Sequence, residues 1–198
     1  MKRALVVFCV LLSGCEVSGY KNLPPNEQAE VQRVEAYLNN IKGMRASFVQ
    51  IGPDAGHSAG RFSYVPGYLR LDYIEPHPME LVAGNGRLVF KDMANQSITH
   101  LSLKRNPLGL LVHYPIRFGG QILVTDARKG QDSLQVSVAE ANNPSQGLLT
   151  LQFADRAGHL NLIGLQGVDV RKNRFSVTLS DEEEGSDIPK SEFKFPSE

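Results

Sequence analysis

The chain has 198 residues, 41% of them hydrophobic, and its 21 lysines and arginines balance 21 aspartates and glutamates. That balance supplies no basic face for phosphate, which argues against a nucleic-acid binder. The two cysteines, Cys9 and Cys15, both sit near the N-terminus, so the body has no internal disulfide framework and must be held by packing.

Lys2 and Arg3 open the chain, and Ala4 to Leu12 form an apolar run of nine residues. A bilayer span needs about 20. The run instead matches the core of a bacterial export signal, which places the mature protein outside the cytoplasm. It ends in Leu12-Ser13-Gly14-Cys15, which resembles a lipobox, where Cys15 would be lipidated and become the new N-terminus. Ordinary cleavage after Gly19 is the alternative. The expected organisation is an export signal over 1–14, a tether over 15–25 ending in Pro24-Pro25, and one folded domain over 26–198. No later apolar segment is long enough to span a membrane.

Asn26 is placed to cap a helix, in which Val31, Val34, Leu38 and Ile41 recur on one face. Glu27, Glu30, Gln32, Arg33 and Glu35 cover the other side, and Gly43 is a natural stop. After Gly43 the period changes from about 3.6 to 2. Strand signals fall near 45–51, 58–65, 68–74, 79–84, 87–92 and 96–103, then 121–128, 132–140, 147–154, 159–167, 170–180 and 191–195. Pro66-Gly67, Asn85-Gly86 and Asp155 to Gly158 carry turn chemistry. Asn106 to Val112 reads as one or two helical turns between the two groups. Asp181 to Asp187 reads as a solvated acidic loop, without the ligand spacing of a calcium-binding hand.

Many antiparallel strands with one good helix predict a mainly β (α+β) fold, a large curved sheet or incomplete barrel with the helix across its mouth. Leu69, Leu71 and Tyr73 alternate with Arg70 and Asp72, as Phe62 and Tyr64 do with Arg61 and Ser63. One face is therefore apolar. A helix of about 17 residues, roughly 25 Å long, covers it only in part. Patterning alone leaves open whether the rest is plain core or a ligand cavity.

Little in the chain looks catalytic. Gly56-His57-Ser58-Ala59-Gly60 matches the G-x-S-x-G nucleophile elbow, but that mechanism needs a strand–turn–helix setting. The alternating Arg61 to Val65, ended by Pro66, leaves no room for a helix. A hydrolase using Ser58 is the weakest of the readings. The five histidines lack metal-ligand spacing. No catalytic residue, metal or cofactor is expected.

Val34 to Gln50, running from helix to a strand that ends Phe48-Val49-Gln50, resembles the opening of the LolA family of periplasmic lipoprotein carriers. Gly60-Arg61-Phe62, Pro66 to Tyr73, Leu81 to Gly86 and Asn106 to Val112 are similar to its successive hairpins and short internal helix. Phe193-Lys194-Phe195-Pro196 resembles its closing element. The resemblance implies an unclosed β-barrel with a helical lid over an apolar cavity, which takes up the acyl chains of lipoproteins. It further implies, as partners, an inner-membrane lipoprotein-releasing ABC transporter and an outer-membrane LolB-type receptor, with a periplasmic and monomeric carrier between them. Phe48, Phe62, Tyr64, Leu69, Leu71 and Tyr73 are the cavity candidates. Val31, Val34, Leu38, Leu108 and Leu111 would face them from the lid side, and Leu69→Glu would block transfer without unfolding the protein. Burial is worth about 0.8 kcal/mol per methylene, so a chain of ~16 carbons is worth roughly 12 kcal/mol, and hand-off must be direct from mouth to mouth. Two departures stand out. Val65 occupies the place where the family commonly has an arginine that latches the lid, and the chain stops just after Pro196. A lipidated Cys15 would instead fit a membrane-anchored receptor of the same fold.

Overall fold

The computed structural model describes residue 20 and residues 22–103, 106–169 and 171–197. The leader, Cys15 and Gly19 lie outside them. Helix α1 spans Pro25–Asn40, with Pro24 at the cap position and Pro25 opening the first turn. Proline suits that place because its fixed φ is already helical and it has no N–H to leave unpaired. Asn26 therefore sits inside the helix and caps nothing, and the helix ends three residues before Gly43. Of the expected stripe Val31, Val34 and Leu38 are buried, whereas Ile41 is the extended residue just after the helix and is half-buried against the core. Part of the expected tether is docked, since Tyr20 and Leu23 pack against the core.

Eleven strands follow: β1 (Met44–Ile51), β2 (His57–Val65), β3 (Tyr68–Glu75), β4 (Met79–Gly84), β5 (Arg87–Asp92), β6 (Ser97–Ser102), β7 (Ile122–Lys129), β8 (Ser133–Glu140), β9 (Gly147–Arg156), β10 (His159–Asp169) and β11 (Arg174–Glu184). They form one antiparallel sheet in the order β6-β5-β4-β3-β2-β1-β11-β10-β9-β8-β7. Among the described residues β6 and β7 are free edges, so the barrel is not closed. The register shifts at Arg45/Ser47, Ala59/Gly60, Val124/Asp126 and Leu162/Gly164. Such bulges increase local twist and let a long sheet coil around a core. Asn85 and Gly86, both at positive φ, make the tight β4–β5 turn.

Two expected elements differ. Asp181 to Glu184 are not loop: they extend β11, with Asp181 at positive φ beside the register shift and Glu183 and Glu184 opposite Arg45 and Met44. The strand expected over 191–195 is instead a 3-10 helix, Lys190–Phe193, leading into a strap across the convex face. There Phe193 and Phe195 pack with Val65, Val82, Ile188 and Tyr68. Arg70 donates to the Glu192 carbonyl at 2.9 Å, and the Arg87 guanidinium lies 4.2 Å from the Phe195 ring centre. The segment is apolar enough to read as a strand, yet both sheet edges lie elsewhere and it has no partner to pair with.

The lid is tied by its own arginine. Arg33 grips Asp155 with two hydrogen bonds of 2.9 and 3.0 Å and donates to the Gly158 carbonyl. Glu30 accepts from Lys129 at 2.6 Å. At the other end Asn39 bonds Ile116 through both its amide groups, and Glu35 accepts from the Phe118 N–H. Val65, in the place of the family's latching arginine, is buried in the convex cluster. The Arg33 guanidinium holds the Asp155 carboxyl below the usual carboxylate range, although burial opposes it. Its contribution is therefore full above the ordinary carboxylate pKa and is lost as pH falls through the depressed folded value. Water screens part of the pair, because the Arg33 side chain is 31% exposed. Asp155→Asn is expected to cost about 1–2 kcal/mol at neutral pH and to flatten the acid limb of thermal stability. An acid limb as steep as the parent's would contradict this.

Candidate functional site

The alternation on the sheet and the stripe on α1 send their apolar side chains to a single interior. All eleven residues singled out from the sequence meet there. Phe48, Phe62, Tyr64, Leu69, Leu71 and Tyr73 line the concave face, with Val31, Val34, Leu38, Leu108 and Leu111 opposite, each at most 7% exposed. The 3-10 turn Pro107–Leu110 enters the barrel between the two halves of the sheet. Asn106 caps that turn by accepting from the Leu108 N–H at 3.0 Å. Tyr64 donates to the Leu111 carbonyl, a long bond of 3.4 Å. Helix α1 and the turn fill the concavity with their own side chains.

Burial pushes the Tyr73 hydroxyl up to about 12, while its bond to Gln50 at 2.9 Å partly offsets that. It stays a neutral donor. Burial likewise raises Tyr37, whose hydroxyl donates to Glu184 and accepts from the Leu162 N–H at 3.2 Å. The interior thus presents apolar surface and neutral hydroxyls.

Toward β6 the cover thins. Met79, Leu81 and Phe90 are only half-buried against the core. Leu101, cross-strand from buried Leu88, is 45% exposed. Phe48, Tyr73 and Phe90 step outward edge to face, at centroid distances of 5.1 and 6.3 Å. This strip connects the packed interior to the free edge, and the sequence reading missed it. The signal was present: Leu81, Phe90 and Leu101 share the parity of the buried positions. What exposes them is that, among the described residues, no strand lies beyond β6, which no local pattern records.

Two clefts open near the internal turn. One, of about 400 Å³, is lined by Leu103, Pro107, Leu110, Val112 and Ile122 among others. Its neighbour, of about 560 Å³, is lined by Lys42, Tyr68, Asn85, Tyr114 and Lys190 among others.

Ser58 lies in β2 opposite Gln50, and the strand continues to Val65. The strand–turn–helix setting of a nucleophile elbow is not formed there. Gly60 of the same motif has a packing reason, because an added Cβ would lie 2.0 Å from the Asp72 carbonyl oxygen. Among the described residues no three histidine, cysteine or carboxylate side chains are grouped to hold a metal ion. No helix among them is long and apolar enough to cross a membrane.

The family model for the outer membrane lipoprotein carrier protein LolA matches residues 39–196. The chain belongs to the LolA family. No curated protein sequence matches it. Solved structures similar to this LolA-family chain include an uncharacterized conserved protein of Thermus thermophilus, at 8% identity and a TM-score of 0.49, covering 86% of this chain and 94% of that one. A LolA superfamily protein of Nitrosomonas europaea aligns at 12% identity and a TM-score of 0.45, over 85% and 97% of the two chains. The Mycobacterium tuberculosis lipoprotein LppX aligns at 9% and 0.39, over 80% and 95%. The LolA match begins within α1 and runs through the C-terminal strap, so it takes in the whole sheet, the internal turn and the end of the lid.

Proposed function

We propose that this protein is a periplasmic carrier that shields the acyl chains of lipoproteins and moves them from the inner to the outer membrane. Family membership supports the reading, and the observation that carries it is the apolar concave face roofed by separable pieces. Helix α1 and the turn at Pro107–Leu110 are not strands of the sheet. They are held by apolar packing and a few side-chain bonds, not by a strand ladder, so they can withdraw without breaking one. Withdrawal would exchange their apolar side chains for acyl chain against the same wall, starting from the strip at Leu81, Phe90 and Leu101. The transfer energy of a long chain in water makes direct hand-off obligatory. An inner-membrane lipoprotein-releasing ABC transporter is the donor in this scheme and a LolB-type receptor the acceptor. The role needs no catalytic group.

Leu12-Ser13-Gly14-Cys15 favours a second reading, a membrane-anchored receptor of the same fold. The several chains of a bacterial lipoprotein would hold it firmly at a membrane, where one chain would not. The mass of the mature N-terminus separates the two, since a diacylglyceryl-modified Cys15 fits the receptor and an unmodified N-terminus the shuttle. Acyl binding is tested by titrating the purified domain with a triacylated lipopeptide and with the same peptide lacking its chains. Saturable 1:1 binding of the acylated form alone is the expected result. Equal binding of both, or of neither, would remove the proposal.

A further inference from the structure

The two clefts beside the internal turn differ in chemistry and share a wall. Gly86, Val112 and His113 line both. The first continues over Leu103, Pro107 and Leu110, with Glu140 and Gln121 on its margin. The second holds Lys42, Lys190, Tyr68, Tyr114 and Asn85, and among the described residues no carboxylate lines it. Among the described residues neither lysine enters an ion pair, so no carboxylate neutralises the charge of this cleft. The Lys190 ammonium instead lies 5.7 Å from the Tyr68 ring centre.

We infer that these adjoining clefts form one site for an amphiphile with an anionic head group. The head lies between Lys42 and Lys190 and the chain runs past Val112 along Leu103, Pro107 and Leu110. The polarity of the site fixes the orientation. Among the described residues Glu140 repels an anion from the first cleft, whereas the second offers two cations, the Tyr114 hydroxyl and the Asn85 NH2 group, which the Tyr68 hydroxyl orients by donating to Asn85 Oδ1 at 2.9 Å. Charge-assisted hydrogen bonds to a phosphate or carboxylate are stronger than neutral ones, and the apolar wall gains with each methylene it covers. Neither half selects alone, because a free anion finds no apolar partner and a neutral chain leaves the lysines unused. This rests on the acyl-binding reading and narrows it, naming the charge of the head group as what the rim selects.

The test is calorimetric titration of the purified domain with dodecyl phosphate, dodecyl maltoside and inorganic phosphate, each below micelle-forming concentration. Dodecyl phosphate is expected to bind at least tenfold more tightly than dodecyl maltoside, and inorganic phosphate at least tenfold more weakly than dodecyl phosphate. In the double variant Lys42→Ala/Lys190→Ala the advantage over the maltoside should vanish while the maltoside affinity stays unchanged. Both positions are at the surface, so circular dichroism should show the parent fold. Equal affinity for the two amphiphiles, or an advantage that survives in the variant, overturns this inference and leaves the acyl-binding reading standing. Inorganic phosphate as tight as dodecyl phosphate makes the site an anion site and overturns the amphiphile assignment. Binding of neither amphiphile overturns this inference, while the acyl-binding reading stands or falls on the separate lipopeptide titration.

Discussion

Gly60→Ala is expected to lower stability by about 3 kcal/mol, measured by urea unfolding, while Ser58→Ala two residues away changes it by less than ~0.5 kcal/mol. At Gly60 the register between β2 and β3 shifts and the strands come close. A Cβ there would lie 2.0 Å from the Asp72 carbonyl oxygen and 2.9 Å from the Phe48 ring. The oxygen belongs to backbone already held in the sheet, so relief requires parting two central strands. Phe48 is one of the largest fully buried side chains and has nowhere to turn. Ser58 lies at the β1–β2 end with no comparable neighbour. A silent Gly60→Ala would show that the β2–β3 contact can open at little cost. The pair also separates a packing motif from a catalytic one, since a nucleophile elbow would make Ser58 indispensable in cells and a structural glycine would not.

Leu69→Glu is expected to yield no folded protein, whereas Leu101→Glu leaves the fold intact and weakens retention of an acylated lipopeptide at least tenfold. The sequence pattern treats the two leucines alike, both being apolar positions of alternating strands. Leu69 is 0% exposed at the centre of the sheet. A carboxylate there loses its water without gaining a partner, a penalty of roughly 4 kcal/mol or more, against a total stability of about 5–15 kcal/mol. The sequence-level expectation that Leu69→Glu would spare folding therefore gives way. Leu101 is 45% exposed on the same concave side, so a charge there stays solvated and opposes only the entry of an acyl chain. Soluble Leu69→Glu with a parental spectrum, or unimpaired retention by Leu101→Glu, would contradict this map.

The difference between those leucines marks where sequence stops being informative. Periodicity gives parity, so Leu69, Leu71, Tyr73, Phe62 and Tyr64 were readable as one face, and the turn residues at Pro66-Gly67 and Asn85-Gly86 set the hairpins. Periodicity does not say which strand is last. That depends on how far the sheet coils, which the bulges decide, and it determines that Leu81, Phe90 and Leu101 are left partly uncovered. The latch was unreadable for a related reason. Arg33 and Glu30 look like the solvated side of an amphipathic helix until the fold brings Asp155 and Lys129 beside them. Phe193 and Phe195 read as a closing strand because their spacing fits one, yet packing places them as a strap outside the sheet. Asn26 failed as a cap because the preceding prolines already supply a helical start.

A carrier must draw its cargo out of a membrane into solution. Spheroplasts displaying a labelled lipoprotein in the inner membrane, with its releasing transporter and ATP, are incubated with the mature protein and the supernatant is sized. The expected product is a soluble 1:1 complex of this protein with the lipoprotein, which then surrenders its cargo to outer membranes bearing a LolB-type receptor. A lipoprotein that stays in the inner membrane, or that leaves it without this protein attached, would contradict carriage.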